Sequence, residues 1–128
     1  MREIKFRGRK INSTEWVCGD LKKTQNGNAG ISVNGKLYIV YADTVGQYTG
    51  LKGKDNKEIY EGDILKDLDE LPLYIEFSEK RAAFCFVDKF DRYGKCLYTT
   101  KDLHWEDFEV VGNLHDNPEL LEIENSTK

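Results

Sequence analysis

Residues 45–66 read VGQYTGLKGKDNKEIYEGDILK, and the way this stretch is read decides the fold of the whole chain. Gln47, Tyr48 and Thr49 favour an extended backbone ahead of Gly50, and Leu51 adds one apolar anchor. The next six residues, 52–57, are too polar to be buried. They place Gly53, Asp55 and Asn56 where a turn needs them, and Gly53 and Asn56 are expected to take positive φ. Ile59 and Tyr60 restart a strand, which Gly62 and Asp63 interrupt before Ile64 and Leu65. A Gly-Asp pair between apolar β-formers predicts a tight bend or a bulge. Asp63 is expected to fix that bend by accepting from a nearby backbone N–H, which is a structural role rather than a catalytic one.

Outward from this stretch the same pattern repeats. Residues 3–9 alternate, with Ile4, Phe6 and Gly8 on one face and Lys5, Arg7 and Arg9 on the other, as in a half-buried strand. A second strand follows from Glu15, with Trp16 and Cys18 on one face and Val17 opposite, which predicts cover on both sides. Asn26-Gly27 and Asn34-Gly35 are hairpin signals, and residues 31–40 form the clearest hairpin in the sequence. Beyond the central stretch, residues 73–77 and 82–87 read as an antiparallel pair with Phe84 and Phe86 toward the core. Residues 91–95 read as a further hairpin turn, 100–107 as a short helical turn and 108–111 as a last strand. Asn117-Pro118-Glu119 has the order of a helix start: a cap, a proline at the first position, then an acidic residue at the positive end of the dipole. Strands joined by short turns predict a mainly β protein of antiparallel sheets, with one or two short helices near the C-terminus. We expect one domain over residues 1–124, with two lobes dividing near Thr44 and sharing a core, and a frayed tail over 125–128.

Composition bounds the function. The chain has 128 residues, 39% hydrophobic and 33% charged, which is an ordinary globular balance. No apolar run approaches membrane-spanning length, and the first residues lack the pattern of a signal peptide, so a cytoplasmic location in a bacterial host is expected. Three cysteines, Cys18, Cys85 and Cys96, without a CxxC spacing, are expected as reduced thiols. The net charge of −4 is unevenly spread: residues 1–10 carry five basic side chains and one acidic, whereas residues 102–124 carry eight acidic side chains and no Lys or Arg. Such opposed ends can pair within one chain or between copies.

No arrangement of residues announces catalysis. His104 and His115 are far apart in sequence, the cysteines are scattered, and the serines lie in turns or the tail, so neither a metal site nor a nucleophilic triad is expected. No cofactor is expected either. The carboxylates Glu61, Asp63 and Glu106 leave a metal-dependent hydrolase as the weakest reading. Lys5, Arg7, Arg9 and Lys10 could form a row of phosphate contacts, with Trp16, Tyr38, Tyr48 and Tyr60 as stacking platforms. Against nucleic acid stand a sequence pI near 5.2 and the acidic segment, which favours pairing of the basic strand with the acidic end.

Three segments carry a resemblance. Residues 47–65 (QYTGLKGKDNKEIYEGDIL), 2–21 (REIKFRGRKINSTEWVCGDL) and 109–121 (EVVGNLHDNPELL) are similar to the signature, opening and closing segments of the YopX family, small proteins of bacterial phages and prophages. Within them Gly50, Tyr60, Glu61, Gly62 and Asp63 stand as the structural signature. The chain departs from the family pattern in the order of the turn at 52–58 and at Cys18 and His115, where an aromatic residue is more usual. The resemblance implies a β-rich domain with an SH3-like barrel portion, self-association, and no assigned activity. The expected function is therefore a non-enzymatic binding module acting as a homo-oligomer with a protein partner from host or phage. Nucleic-acid binding through the basic strand is the alternative, and no membrane is expected.

Overall fold

The computed structural model describes residues 3–24, 27–66, 72–80, 82–87 and 105–121. The chain divides into two compact units, Met1–Gly50 and Leu51–Lys128. Regular structure is predominantly β, as expected, in antiparallel sheets with short 3-10 turns between strands.

The amino-terminal unit holds β1 (Phe6–Arg9), β2 (Trp16–Lys23), β3 (Ala29–Val33), β4 (Lys36–Val40) and the start of β5 (Gly46–Lys52), whose Leu51 and Lys52 belong to the other unit; these strands are hydrogen-bonded in the order β4-β3-β2-β1-β5. The hairpin expected at residues 31–40 is present, with Val33 opposite Lys36 across a two-residue turn. Asn34 and Gly35 both take positive φ, 53° and 85°, which matches the right-handed twist of the flanking strands. The pair β2–β3 closes as a hairpin too; Asn26, named for its turn, lies outside the described residues. Ile31 and Val40 are fully buried on one face, and Gly8 comes so close to Val40 that an added Cβ would stand 2.6 Å from one of its methyls. Neither sheet is closed into a barrel among the described residues; one isolated bridge, Lys10 with Val40, links the end of β1 to β4. Cys18 is exposed, so the cover expected on both sides of β2 is missing there: the side chain points away from the face holding Ile31 and Val40.

In the carboxy-terminal unit a 3-10 turn, Lys54–Asn56, leads into β6 (Glu58–Tyr60) and then β7 (Asp63–Lys66). Positive φ falls on Asp55 and Asn56, not on Gly53, which is extended at −91°. The reason is that the Gly53 amide donates to the Lys57 carbonyl at 2.8 Å, so Gly53 opens the turn and the reversal comes after it. A four-stranded sheet follows, in the order β10-β7-β8-β9, with β8 (Leu73–Ser78), β9 (Ala83–Val87) and β10 (Glu109–Asn113). Pairing of β8 with β9 puts Ile75 opposite Phe86 and Phe77 opposite Phe84, as the alternation predicts. Ile59, Leu65, Ile75, Phe86 and Phe108 form the core, flanked by Leu51, Leu73, Phe84 and Val110. Each such side chain taken out of water stabilises the unit by about 1.5–3 kcal/mol before entropy is counted.

The turns at the end are 3-10 rather than α: Trp105–Asp107 and Pro118–Leu121. Asn117 precedes the second and also holds its position from the side, because its Oδ1 accepts from the Asn113 amide at 3.3 Å. Gly112 has no side chain where Asn117 lies. The hairpin turn read at 91–95 lies outside the described residues. One expectation fails. Cys85 is disulfide-bonded, not a reduced thiol, and its partner lies outside the described residues, whereas Cys18 is free. Without a CxxC spacing the sequence carries no local motif for the bridge, because only the fold brings two such sulfurs within reach.

Candidate binding face of the amino-terminal unit

The strand β1 determines what the amino-terminal unit presents. Its odd residues Arg7 and Arg9, and Lys5 just ahead of the strand, share one face, opposite the face holding Gly8, because successive side chains alternate. Register then decides the neighbours. Arg7 pairs with Cys18 and Arg9 with Trp16, so Trp16 shares the face of the cations. On the other side of β1, the Tyr48 amide donates to the Lys5 carbonyl at 2.9 Å, and the Tyr41 amide donates to the Arg9 carbonyl at 2.9 Å.

Three cations therefore sit over three rings on this face. The Lys5 ammonium lies 5.1 Å from the Tyr48 ring centre, the Arg7 guanidinium 4.9 Å from Trp16 and the Arg9 guanidinium 5.4 Å from Tyr41. Each contact contributes about 0.5–2 kcal/mol depending on its desolvation. The Nε atoms of Arg7 and Arg9 are buried. Thr44, itself buried, fixes the Arg9 end: the Arg9 amide donates to its hydroxyl at 2.9 Å, and that hydroxyl donates to the Tyr41 carbonyl at 2.6 Å.

Lys10 belongs elsewhere. It falls on the opposite face by alternation, 5.1 Å from the Tyr38 ring, which Lys36 approaches at the same distance. Its ammonium also pairs with Glu15 at 2.8 Å. That hydrogen bond raises the Lys10 pKa above its ordinary value and lowers that of Glu15. The four basic residues nominated from sequence thus divide into a row of three and one outlier.

The aromatic platforms divide as well. Trp16, Tyr38 and Tyr48 each face a cation, whereas Tyr60 is buried in the carboxy-terminal unit with its hydroxyl 3.1 Å from Glu58 Oε1. Tyr41 and Thr44 belong to no motif in the sequence; their only signal is their place just past the end of β4, where the chain turns back beside β1.

The signature residues form corners. Gly50 and Gly62 take positive φ, 89° and 92°. Asp63 accepts from the Tyr60 amide at 2.7 Å, which commits its Oδ2 to the backbone. Among the described residues no three His, Cys, Asp or Glu side chains gather as a metal site would require, and no helix is long and apolar enough to cross a membrane.

Comparison with known proteins agrees with this architecture. A crystal structure of protein EF1440 from Enterococcus faecalis is similar over 95% of this chain and 100% of its own, with a TM-score of 0.58 and 24% identity, a likeness of fold alone. No curated protein matches the sequence. The family model described as YopX protein matches residues 2–122, nearly the whole length, and the chain belongs to the YopX family.

Proposed function

We propose that the protein is a non-enzymatic binding module of phage origin that acts as a homo-oligomer and takes an acidic protein segment as its partner. The observation that carries the reading is the row Lys5, Arg7, Arg9, each cation held over a ring on one strand face. Alternate residues of a strand lie about 6.6 Å apart, so the row matches acidic side chains at alternate positions of an extended peptide. Segment 102–124, with eight acidic residues and no Lys or Arg, supplies that charge on a second copy. The antiparallel strands β1 to β4, with the 3-10 turn Ala42–Thr44 ahead of β5, support the SH3-like reading of this unit.

Sedimentation velocity at two salt concentrations tests the reading. Self-association that weakens as salt rises, and that is lost in Arg7→Glu, is the expected result. A monomer at every concentration and salt would overturn it.

Nucleic acid is the second reading, favoured by the interleaving of cations with rings. It requires that a labelled single-stranded oligonucleotide bind with an affinity that falls steeply with salt and is abolished by Arg7→Glu. Undetectable binding removes it.

A further inference from the structure

The carboxy-terminal unit has a half-open depression of about 330 Å³, lined by Lys54, Lys66, Asp107, Glu109 and Val111. Its walls come from three elements. Lys54 opens the 3-10 turn Lys54–Asn56, and its amide donates to the Phe108 carbonyl at 2.8 Å, which fixes that turn beside the start of β10. Asp107 ends the 3-10 turn Trp105–Asp107. Lys66 and Glu109 are direct cross-strand partners of β7 and β10.

Two features of this site call for an explanation. The first is its charge. Cross-strand Lys–Glu partners ordinarily pair, yet among the described residues none of the four charged side chains makes an ion pair within 4.0 Å or a side-chain hydrogen bond. Charges of both signs, on side chains that are all exposed, thus line one hollow. The second is a β-bulge. Val110 pairs with Leu65 and Gly112 with Ile64, leaving Val111 as the inserted residue that lines the depression, still 37% exposed. Bulges of this kind re-aim a side chain and recur next to binding sites.

We propose that the depression binds a free α-amino acid with a small apolar side chain. Its carboxylate meets Lys54 and Lys66, its ammonium meets Asp107 and Glu109, and its side chain rests on Val111. A simple anion would meet two carboxylates and a bare cation two ammonium groups, whereas a zwitterion satisfies both pairs. The volume lies at the small end of ligand sites, which suits an amino acid better than a cofactor. Asp107 and Glu109 belong to the acidic segment 102–124, so an amino acid bound here and docking of that segment on a second copy would compete for the same carboxylates.

Amide chemical-shift titration of the full chain tests it, with L-leucine, N-acetyl-leucine and leucine amide as probes. The expected result is saturable movement of the Val111 and Gly112 amides by L-leucine. Each analogue lacks one charge-assisted contact and should bind at least about tenfold more weakly. Glu109→Gln and Lys66→Gln should each weaken L-leucine by a similar factor while the rest of the spectrum stays in place. Equal responses to all three probes, or no saturable movement up to about 50 mM, well above the millimolar range of weak ligands, would overturn the proposal.

Discussion

The Tyr60 amide donates to Oδ2 of Asp63 at 2.7 Å, across the corner that Gly62 makes at φ 92°. This short contact holds the junction of β6 and β7 in place. The Gly62 amide donates to Ile75 and its carbonyl accepts from Leu114, both at 2.8 Å, so the corner is tied to two further parts of the unit. Asp63→Ala leaves the Tyr60 N–H buried without that acceptor and should cost about 2–3 kcal/mol in urea unfolding. Asp63→Asn keeps an acceptor oxygen and should cost less. Equal losses for the two would show that the charge, not the hydrogen bond, matters at this corner.

Gly8 and Val40 form a tight crossing in the amino-terminal unit, where a Cβ on Gly8 would meet Val40 at 2.6 Å. Val40 is fully buried. Gly8→Ala should therefore destabilise by about 1–3 kcal/mol through overpacking. In the double variant Gly8→Ala, Val40→Ala the added methyl enters the space vacated by valine. The double variant should lose less than the sum of the single losses, by about 0.5 kcal/mol or more in a mutant cycle. Strict additivity would contradict the crossing.

Thr44 joins the Arg9 amide to the Tyr41 carbonyl through one hydroxyl. Thr44→Val keeps the shape and removes both bonds, and should cost about 1–2 kcal/mol. Amide exchange at Arg9 should accelerate relative to the rest of β1. Unchanged protection there would mean that the hydroxyl does not hold this strand end.

Tyr74 has a pKa raised above its ordinary value, first by burial and then by the nearby Glu76. The folded state therefore holds the phenol proton more tightly than the unfolded chain does. Stability from this group is fully present below the unfolded value near 10 and is lost as pH rises through the higher folded value. Alkaline unfolding should thus begin at a higher pH in Tyr74→Phe than in the parent. Identical alkaline profiles would exclude Tyr74 as a contributor.

Much of the fold was legible because its signals are local. Asn34-Gly35 specifies its hairpin through positive φ, and alternation in β8 and β9 puts Phe86 in the core. The family was legible as well, since its segments run along most of the chain. Alternation also separated Lys5, Arg7 and Arg9 from Lys10 in principle, since it fixes which side of a strand each residue occupies.

The tertiary structure alone decided which groups meet. Placing Trp16 under Arg7 and Tyr41 under Arg9 depends on strand register and on the return of the chain past β4. The bulge that turns Val111 into a charged hollow depends on a partner strand distant in sequence. A backbone dihedral answers to its nearest neighbours, so turns can be read from a few letters. Register answers to the burial of a whole face at once, and no short segment contains that information.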